Sequence, residues 1–413
     1  MHRMIDYLLR LGKQNRVRGA QRSYVIRLLN FFTLVVALQT VPSSFPSTAV
    51  HPLSFSSTTT YTCSVSNATG ATATRTFTPA TATPNDATDD FTAIQTAINH
   101  ASNAGGGIVT LPAGTFLTNG HLQMKSNVKL HGSGQQTIIK AGPKFLSTKG
   151  PYGGYPVITT ARAQNVTIAN LTADQSGDRL NGNVSGRLTE YLVDLHGSTN
   201  VVVDGVSTRN PFTYSIVASA GTTKFCINNS STQATSVGKY NQLDGIHVLD
   251  SNTGDVINNT VDQRIGEDGD DGLVAHTIGG PVHDVRYAGN KVRGGHRGHG
   301  MQIAVGNFSI YRIKILDNEF WGSPFGIRTG YYDNGTGDVD HITISKNYIH
   351  DLKPGHSFSK RGTAIDIGFG NRGSSTITNT LITNNLVCNA GVIKLAHGQG
   401  NVMSNNTVRQ RCS

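Results

Sequence analysis

Short apolar runs separated by Gly and Asn turns dominate the chain from residue 108 onwards. Val, Ile and Thr recur in these runs, whose length and composition are typical of β-strands. One segment differs, since its apolar residues follow the spacing of a helix: Phe91, Ile94, Ala97, Ile98 and Ala101. Asp89 or Asp90 is suited to cap its start, and the glycines at 105–107 end it. The pattern predicts a nearly all-β fold with one amphipathic helix.

A repeat organises the stretch between residues 244 and 330. Four segments there place a glycine before an apolar residue, at intervals of 27, 28 and 26 residues: Asp244-Gly245-Ile246, Asp271-Gly272-Leu273, His299-Gly300-Met301 and Phe325-Gly326-Ile327. A near-constant period of this size indicates stacked coils. We therefore expect Asp244, Asp271 and His299 to occupy the same place on successive coils and to form one column.

A second series supports this period. An Asn precedes a strand-like run on most coils, with Gly205 in its place on one: Asn170, Asn229, Asn259, Asn290, Asn318, Asn347, Asn385 and Asn406. Asn and Gly tolerate left-handed backbone conformation, and stacked Asn side chains can hydrogen-bond to one another. Both series contain one long interval of 38 residues, which a single insertion around residues 351–362 explains.

Strands that recur once per coil, without helices between them, exclude a Rossmann fold and a TIM barrel. They predict a single-stranded right-handed parallel β-helix, an all-β solenoid in which each coil contacts its neighbours. The early helix would cap the N-terminal end, because an open strand edge invites aggregation. A β-sandwich or jelly roll is the alternative, and the shared register of the two series disfavours it.

The N-terminal region has a different composition. Residues 1–27 contain seven Arg or Lys and one Asp, which is +6 of the net charge of +10, and an apolar run follows over 28–41. This order predicts a signal peptide over residues 1–42, with an uncleaved anchor as the alternative; the apolar run is too short to span a bilayer. We expect residues 43–84, rich in Ser, Thr, Ala and Pro, to be a linker and residues 85–413 to be the β-helix domain.

Four cysteines fit an exported protein with up to two disulfides: Cys63, Cys226, Cys388 and Cys412. Cys388 and Cys412 lie 24 residues apart, about one coil, so a bridge between them would pin the last coil; buried thiols are the alternative. Basic residues form no stripe interleaved with aromatics, so we expect no nucleic-acid partner. We expect a secreted, extracellular monomer with no stable membrane domain in the mature chain.

Three N-terminal segments carry a resemblance to known proteins. Residues 89–98 (DDFTAIQTAI), 105–116 (GGGIVTLPAGTF) and 126–134 (SNVKLHGSG) closely resemble the N-terminal region of secreted β-helix proteins of the pectate-lyase-like superfamily. The resemblance implies the β-helix fold. It does not separate hydrolases, lyases and epimerases.

Four later segments carry a narrower resemblance. Residues 243–248 (LDGIHV), 270–274 (DDGLV), 298–303 (GHGMQI) and 326–328 (GIR) are similar in order and register to the motifs of the polygalacturonase family of pectin hydrolases, glycoside hydrolase family 28. The resemblance implies hydrolysis of a pectin-like or other acidic polysaccharide.

The same resemblance implies roles for five residues. Asp244 and Asp270 would help to activate water, and Asp271 would donate the proton. His299 would support the site, although a structural role is the alternative for a single histidine, and Arg328 would bind the acidic sugar.

Three positions depart from the family's pattern. Gln242-Leu243 replaces Asn-Thr, His247 replaces a second Asp, and Gly330 replaces a Lys. Residues 312–314 spell Arg-Ile-Lys, but they belong to a strand of the Asn series and are rejected as the site pair. The absent lysine weakens the expectation that galacturonate is the substrate.

Strand parity predicts a polar outer face over several coils. Arg328 points outward, Asp366 holds the equivalent place one coil later, and His247 and Gln302 hold it on earlier coils. We expect these four side chains to bind the substrate, with a surface salt bridge between Arg328 and Asp366 as the alternative. Nearby aromatic residues that could stack on sugar rings are Trp321, Tyr331 and Tyr332.

Glycoside hydrolysis requires one protonated and one ionised carboxyl. Crowding Asp244, Asp270 and Asp271 would raise at least one pKa, and an inverting mechanism requires carboxyls roughly 6.5–9.5 Å apart. We expect no cofactor and no metal for such a hydrolase. The acids of residues 266–272 could instead bind calcium in a polysaccharide lyase or epimerase, or form a solvated loop in a non-catalytic glycan-binding protein.

Overall fold

The computed structural model describes residues 60–145, 156–177, 191–234, 243–264, 269–355, 362–371, 373 and 375–411. These residues form one helix and 32 strands. The helix is α1 (Phe91–Asn103). The strands are β1 (Thr76–Phe77), β2 (Gly107–Leu111), β3 (Gly114–Thr118), β4 (Leu122–Gln123), β5 (Val128–Gly132), β6 (Thr137–Ala141), β7 (Ile158–Thr159), β8 (Gln164–Asp174), β9 (Val193–His196), β10 (Thr199–Arg209), β11 (Ile216–Ser219), β12 (Thr223–Asn228), β13 (Ser231–Gln233), β14 (Ile246–Leu249), β15 (Asn252–Ile257), β16 (Thr260–Asp262), β17 (Leu273–His276), β18 (Val282–Ala288), β19 (Lys291–Arg293), β20 (His299–Val305), β21 (Ile310–Leu316), β22 (Glu319–Trp321), β23 (Phe325–Tyr331), β24 (Val339–Ser345), β25 (Tyr348–His350), β26 (Ile365–Ile367), β27 (Ile377–Thr378), β28 (Leu381–Thr383), β29 (Leu386–Cys388), β30 (Ile393–Leu395), β31 (Val402–Ser404) and β32 (Thr407–Arg409).

Three strands make up each central coil. β14, β15 and β16 form one coil, β17, β18 and β19 form the next, and each strand pairs in parallel with its counterpart one coil later. Among the described strands, ten belong to one sheet, from β4 to β30, and 22 to the other. The predicted parallel β-helix is confirmed, and its right-handed sense is what the crossover rule for parallel strands predicts.

The glycine repeat opens the strands of the ten-stranded sheet. Ile246 pairs with Leu273, and Leu273 pairs with Met301. The residues two places earlier therefore form the expected column: Asp244, Asp271 and His299. Glycine recurs beside this column because the coils approach closely there. A Cβ on Gly272 would lie 2.2 Å from Cγ1 of Val292 and 2.8 Å from the carbonyl oxygen of Gly300.

The core lies between the sheets and is built from alternate strand residues. Ile246 and Val248 of β14 are fully buried, as are Leu273 and Ala275 one coil later. Each fully buried Val, Leu or Ile side chain stabilises the fold by roughly 1.5–3 kcal/mol relative to exposure. This inward alternation fixes which side chains point outward and so positions the site.

A ladder of Asn side chains follows one turn of the helix. Oδ1 of Asn318 accepts the backbone N–H of Asn290 (3.0 Å) and its Nδ2–H (2.9 Å), and Nδ2 of Asn318 donates to the carbonyl of Tyr287 and to Oδ1 of Asn347. Equivalent bonds join the ladder residues Asn259, Asn290, Asn318, Asn347, Asn385 and Asn406.

The first members of the predicted Asn series occupy a different position. Asn228 of β12 pairs with Ile257, so Asn229 corresponds to Asn258, the residue before the ladder. Asn229 and Asn258 both have positive φ angles, of 47° and 55°. The residue with left-handed conformation therefore comes directly before the residue whose side chain stacks. The sequence predicted that a single Asn on each coil would have both properties.

Helix α1 packs against the first strands. Its residues Ile94, Ala97, Ile98 and Ala101 are buried in the core cluster, and it contacts β1, β2, β4 and β5. Asp90 occupies the N-cap position, but its carboxylate accepts N–H groups of Thr83 and Leu117 instead of capping the helix. The role of α1 in closing the end of the solenoid stays a prediction.

Residues 60–70, which we call the strap, lie on the outside of the 22-stranded sheet. The hydroxyl of Tyr61 bonds to Asp317, the N–H of Val65 donates to Asp255 (3.1 Å), and Cys63 forms a disulfide with Cys226. The linker predicted over residues 43–84 therefore differs from what the structure shows for this part. Composition missed the strap because its partners are up to 256 residues away in sequence.

Other expectations concern residues that the structure does not describe. Cys388 is disulfide-bonded, but Cys412, its expected partner, lies outside the described residues, as do the signal peptide of residues 1–42 and the linker from 43 to 59. Within the described ranges no helix has the length and apolar character needed to cross a membrane.

Candidate active site

Three carboxyl groups meet at the outer face of the ten-stranded sheet. Asp244 and Asp271 precede β14 and β17 and are 4% and 5% exposed, whereas Asp270 is more exposed. One oxygen from each of the three carboxyls lies within 4.8 Å of the others. The structure thus brings together the acids that the sequence selected.

A β-bulge explains how two consecutive acids enter one site. Leu243 pairs with Gly269, whereas Ile246 pairs with Leu273, so the later strand holds one extra residue in this interval. Such an insertion disturbs the strict alternation of a strand and redirects a side chain. Asp270 and Asp271 therefore both contribute a carboxyl to the cluster.

Hydrogen bonds fix two of these carboxyls. Oδ1 of Asp244 accepts the backbone N–H of Asp271 (3.2 Å), and Oδ1 of Asp271 accepts the backbone N–H of His299 (2.7 Å). Nδ1 of His299 also lies 2.5 Å from Oδ1 of Asp271. Nε2 of His299 is buried and has no hydrogen-bond partner among the described residues.

Burial and mutual repulsion change the protonation of this cluster. Burial raises the pKa of Asp244 well above its usual range, and the charge of Asp271 adds to the effect. Burial likewise raises the pKa of Asp270, which faces the charges of both other acids. Three carboxyls this close cannot all ionise at modest cost, so the cluster retains a proton where isolated acids would have lost theirs.

The three acids by themselves would not complete the shell of a calcium ion. Calcium takes six to eight oxygen ligands. Asp244 has one oxygen on the N–H of Asp271 and the other 2.8 Å from a ring nitrogen of His247, and one oxygen of Asp271 is engaged by His299. The remaining carboxylate oxygens would supply only part of such a shell, and waters or backbone carbonyls would have to supply the rest. Residues 265–268 of the acidic loop lie outside the described residues.

Two imidazoles extend from Asp244. Nδ1 of His247 lies 2.8 Å from Oδ2 of Asp244, and Nε2 of His247 lies 3.2 Å from Nδ1 of His276. Burial lowers the pKa of His247 to about 3 and that of His276 to about 3. Both rings are therefore neutral at physiological pH. Tyr214 stacks on His247 with ring centroids 4.2 Å apart, which fixes the ring plane.

Arg328 lies between two phenyl rings on the same face. Its guanidinium carbon is 3.9 Å from the ring centroid of Phe325 and 4.1 Å from that of Phe369. Burial lowers the pKa of Arg328, whereas the charges of Asp271 and Asp366 act in the opposite direction. Stacking of this kind orients a planar guanidinium for recognition of an anionic group.

Gln302 and Tyr332 occupy the space beside Gly330. Nε2 of Gln302 lies 2.5 Å from the hydroxyl of Tyr332, and a Cβ on Gly330 would lie 3.3 Å from the same Nε2. The Tyr332 ring would be 3.4 Å from that Cβ. This chain therefore fills the region where the polygalacturonase pattern has a lysine with a hydrogen-bonded amide and phenol.

The family of this chain is shown by a sequence match that covers most of the β-helix. Residues 78–319, more than half of the chain, match the family described as rhamnogalacturonase A/epimerase, pectate lyase-like. The chain belongs to this family. The expected resemblance to pectate-lyase-like proteins is thereby confirmed, and the carboxyl cluster and the stacked Asp271 and His299 lie within the matched residues.

Relatives of different activities share parts of this family fold. Mannuronan C5-epimerase AlgE5 from Azotobacter vinelandii is 29% identical over 264 residues, 60% of this chain and 23% of that protein. Alginate lyase 7 from the same organism is 32% identical over 191 residues, 44% of this chain and 21% of that protein. The chain spans less than a quarter of the length of these two relatives.

Among solved structures, the exopolygalacturonase of Thermotoga maritima superimposes with a TM-score of 0.62. The superposition covers 83% of this chain and 94% of that one at 18% sequence identity. A likeness at this identity shows the shared fold alone.

The remaining predicted residues form a second column on the same outer face. His247, Gln302, Arg328 and Asp366 occupy one line of register, with Val274 between the first two. Arg328 and Asp366 are cross-strand partners one coil apart. Residues 312–314 lie in β21 of the other sheet, as their place in the Asn series predicts.

Three neighbours of the site escaped selection in the sequence. His276 lies in β17, two residues after Val274, and strand parity could have placed it on the outer face. Tyr214 belongs to the column of Asp244, because Ile216 pairs with Ile246. Phe369 follows β26 in a loop, so no strand period could have revealed it.

Proposed function

We propose that this protein is a glycoside hydrolase that cleaves a polysaccharide containing acidic sugars. The observation that carries the proposal is the cluster of Asp244, Asp270 and Asp271, whose crowding retains a proton beside ionised carboxylate. Hydrolysis of a glycosidic bond requires this combination of acid and base. Arg328, oriented between two rings at the same face, supports an anionic substrate.

In this proposal Asp270 is the proton donor. The polygalacturonase resemblance implied Asp271, but Asp271 is buried and bound by His299. Asp244 and Asp270 both have a raised pKa, and Asp270 is chosen because it is the more exposed of the two. Asp270 gives its proton to the leaving glycosidic oxygen. Water attacks the anomeric carbon and loses its proton to the paired carboxylates of Asp244 and Asp271.

The spacing of the carboxyls does not support the expected inversion. Their nearest oxygens lie within 4.8 Å, whereas an inverting enzyme separates its carboxyls by roughly 6.5–9.5 Å to admit water. Proton NMR of the first-formed anomer would decide between inversion and retention. The proposal of hydrolysis holds with either outcome.

A second candidate function is cleavage or epimerisation of a uronic-acid polymer by proton abstraction. The observation that favours it is the identity to proteins named mannuronan C5-epimerase and alginate lyase. In such a reaction a base removes the proton at C5. The carbanion then either expels the 4-oxygen, which leaves a double bond, or regains a proton on the opposite face.

Digestion of defined polymers tests these alternatives. We expect polygalacturonate to yield reducing ends without an ultraviolet-absorbing unsaturated product. Alginate is the comparison substrate. EDTA should not change the rate of the reaction. Asp270→Asn and Asp271→Asn should abolish the reaction, whereas Asp284→Asn, in an exposed ion pair on the other sheet, should not. An unsaturated product, or a change in uronate configuration without cleavage, would replace hydrolysis by the second candidate. Saccharide binding without any reaction would indicate a non-catalytic glycan-binding protein.

We also propose that the protein is secreted and acts as a monomer. The Cys63–Cys226 disulfide supports secretion, because such bonds persist in oxidising compartments. Expression of the full chain, followed by sizing of the exported product and sequencing of its N-terminus, would test these points. A product retained in the cell would contradict secretion.

A further inference from the structure

We propose that His247 and His276 form a proton relay between the buried carboxyl of Asp244 and the solvent. The relay rests on the proposed hydrolase function, in which Asp244 helps to take a proton from water. His247 occupies a position where the polygalacturonase pattern has an Asp, so the relay belongs to this chain. Both histidines are positioning residues that act through Asp244.

The hydrogen-bond chain has two links. Oδ2 of Asp244 lies 2.8 Å from Nδ1 of His247, and Nε2 of His247 lies 3.2 Å from Nδ1 of His276. Asp244 and His247 are 4% and 1% exposed, whereas His276 is only partly buried. The chain therefore runs from the interior of the acid cluster to a partly exposed imidazole, and His247 uses both of its nitrogens along the way.

Proton transfer through this chain leaves no charge on either ring. Protonated Asp244 gives its proton to Nδ1 of His247, Nε2 of His247 gives its own to Nδ1 of His276, and Nε2 of His276 releases one to water. Each N–H bond that forms is matched by one that breaks, so both rings exchange tautomers and stay neutral. The reverse sequence brings a proton inward and restores the starting tautomers. Before the chain exports a second proton, it must therefore return one or its rings must reorient.

The surroundings of the two rings favour neutral tautomers over imidazolium. Burial lowers the pKa of both, although the charges of Asp271 and Asp250 near His247, and of Asp271 and Asp333 near His276, act against this. The phenol ring of Tyr332 lies beside His276, with centroids 5.7 Å apart. A transfer that never creates imidazolium avoids the cost of charging a buried ring.

A relay is useful because substrate covers the acid cluster during turnover. Asp244 would gain a proton in each cycle, and its carboxyl has little contact of its own with solvent. The path through His247 and His276 removes that proton without requiring the cleft to empty. Loss of the relay should therefore slow repeated turnover and leave the first bond cleavage unaffected.

Single-turnover and steady-state kinetics on polygalacturonate separate the first bond cleavage from repeated turnover. We expect His276→Phe, which keeps an aromatic ring, to lower the steady-state kcat at least about tenfold and to change the single-turnover rate by less than about twofold. Added imidazole should restore kcat in His276→Ala, where the missing ring leaves space for it. The control is His341→Phe, since His341 is exposed on the other sheet. An unchanged kcat, or an equal loss in both rates, would overturn the relay.

Nitrogen NMR of ¹⁵N-histidine-labelled protein tests the chain without any substrate. The ring nitrogens of both His247 and His276 should shift as Asp244 titrates, and this step should vanish in Asp244→Asn. Ring nitrogens of His276 whose chemical shifts do not change as Asp244 titrates would overturn the relay. If the signals are coupled but polygalacturonate is not cleaved, the hydrolase proposal fails and the hydrogen-bond chain stands.

Discussion

Asp270 shows how a single extra residue changes a site. The pair Asp270-Asp271 was visible in the sequence, but the bulge that turns both carboxyls to one face was not. Strict alternation would have pointed the two side chains in opposite directions. The sequence therefore supplied the identities of the acids, and the local backbone decided which one reaches the solvent.

The pH dependence of hydrolysis should identify the donor. Because a donor must be protonated, the rate should fall as the pH rises through the raised pKa of Asp270. We expect Asp270→Asn to lower kcat on polygalacturonate about 10²–10⁴-fold and to remove this alkaline limb. If Asp271 is the donor, the limb will persist in Asp270→Asn and vanish in Asp271→Asn.

The same residue should lower stability at neutral pH. Burial raises the folded-state pKa of Asp270 above its unfolded value of about 3.9, so the folded state binds more protons between the two values and stability falls as the pH rises there. Asp270→Asn should therefore stabilise the protein at neutral pH by on the order of 1 kcal/mol.

Urea unfolding at two pH values checks this stability prediction. The advantage of Asp270→Asn should be present near neutrality and absent below about pH 3.9, where the carboxyl is protonated in both states. Asp284→Asn is the matched control, because its exposed partner Arg312 lowers the pKa of Asp284 and the sign is reversed. An advantage that is the same at both pH values would point to a cause other than protonation.

At the scale of elements, the Asn ladder ties successive coils together. The sequence predicted such a ladder from its period, and the structure shows it from Asn259 to Asn406. The sequence placed Asn229 in the ladder, but Ser230 donates its N–H to Asn259 and so holds that place. Adjacent Asn residues can adopt either role, and only the hydrogen bonds between coils distinguish them.

Removal of one ladder side chain should weaken two coils at once. Asn318→Ala leaves the buried N–H and amide of Asn290 and the carbonyl of Tyr287 without their partner. Each unsatisfied group costs about 1–3 kcal/mol, so we expect the loss of three partners to lower the free energy of unfolding by roughly 3–9 kcal/mol. Denaturant unfolding measures it, and the exposed Asn307→Ala should cost little. Equal effects of the two variants would mean that the ladder does not stabilise the fold.

At the scale of the whole molecule, the strap connects distant coils. It reaches Asp317, Asp255 and Asn200 and is joined covalently to Cys226. It lies on the 22-stranded sheet, whereas the acid cluster lies on the ten-stranded sheet. Changes in the strap should therefore alter the stability of the protein without altering catalysis.

Loss of the strap disulfide should lower stability and spare activity. The bond closes a loop of 163 residues, and the chain-entropy argument gives a stabilisation of up to about 5 kcal/mol. We expect the double variant Cys63→Ala, Cys226→Ala to unfold at lower temperature with unchanged kcat in the cold. Tyr61→Phe, which removes one strap hydrogen bond and keeps the disulfide, should lose much less. If the double cysteine variant is fully folded and still has a lower kcat, the strap also shapes the site.

The sequence by itself determined the β-helix, the period of its coils and the column of Asp244, Asp271 and His299. These features follow from local rules, since a repeated glycine and alternating apolar residues fix the pleat and the register of each coil. Motif spelling also selected Arg328, which lies on the same face as the acids.

The tertiary structure alone decided the strap, the imidazole chain to His276 and the clamp of Phe369 on Arg328. The strap depends on partners far away in sequence, and Phe369 lies in a loop outside the strands. His247 contacts His276 diagonally, two residues out of register. The protonation of the acids is likewise a tertiary property. Burial and the distances between carboxyls set it, and a one-dimensional pattern contains neither.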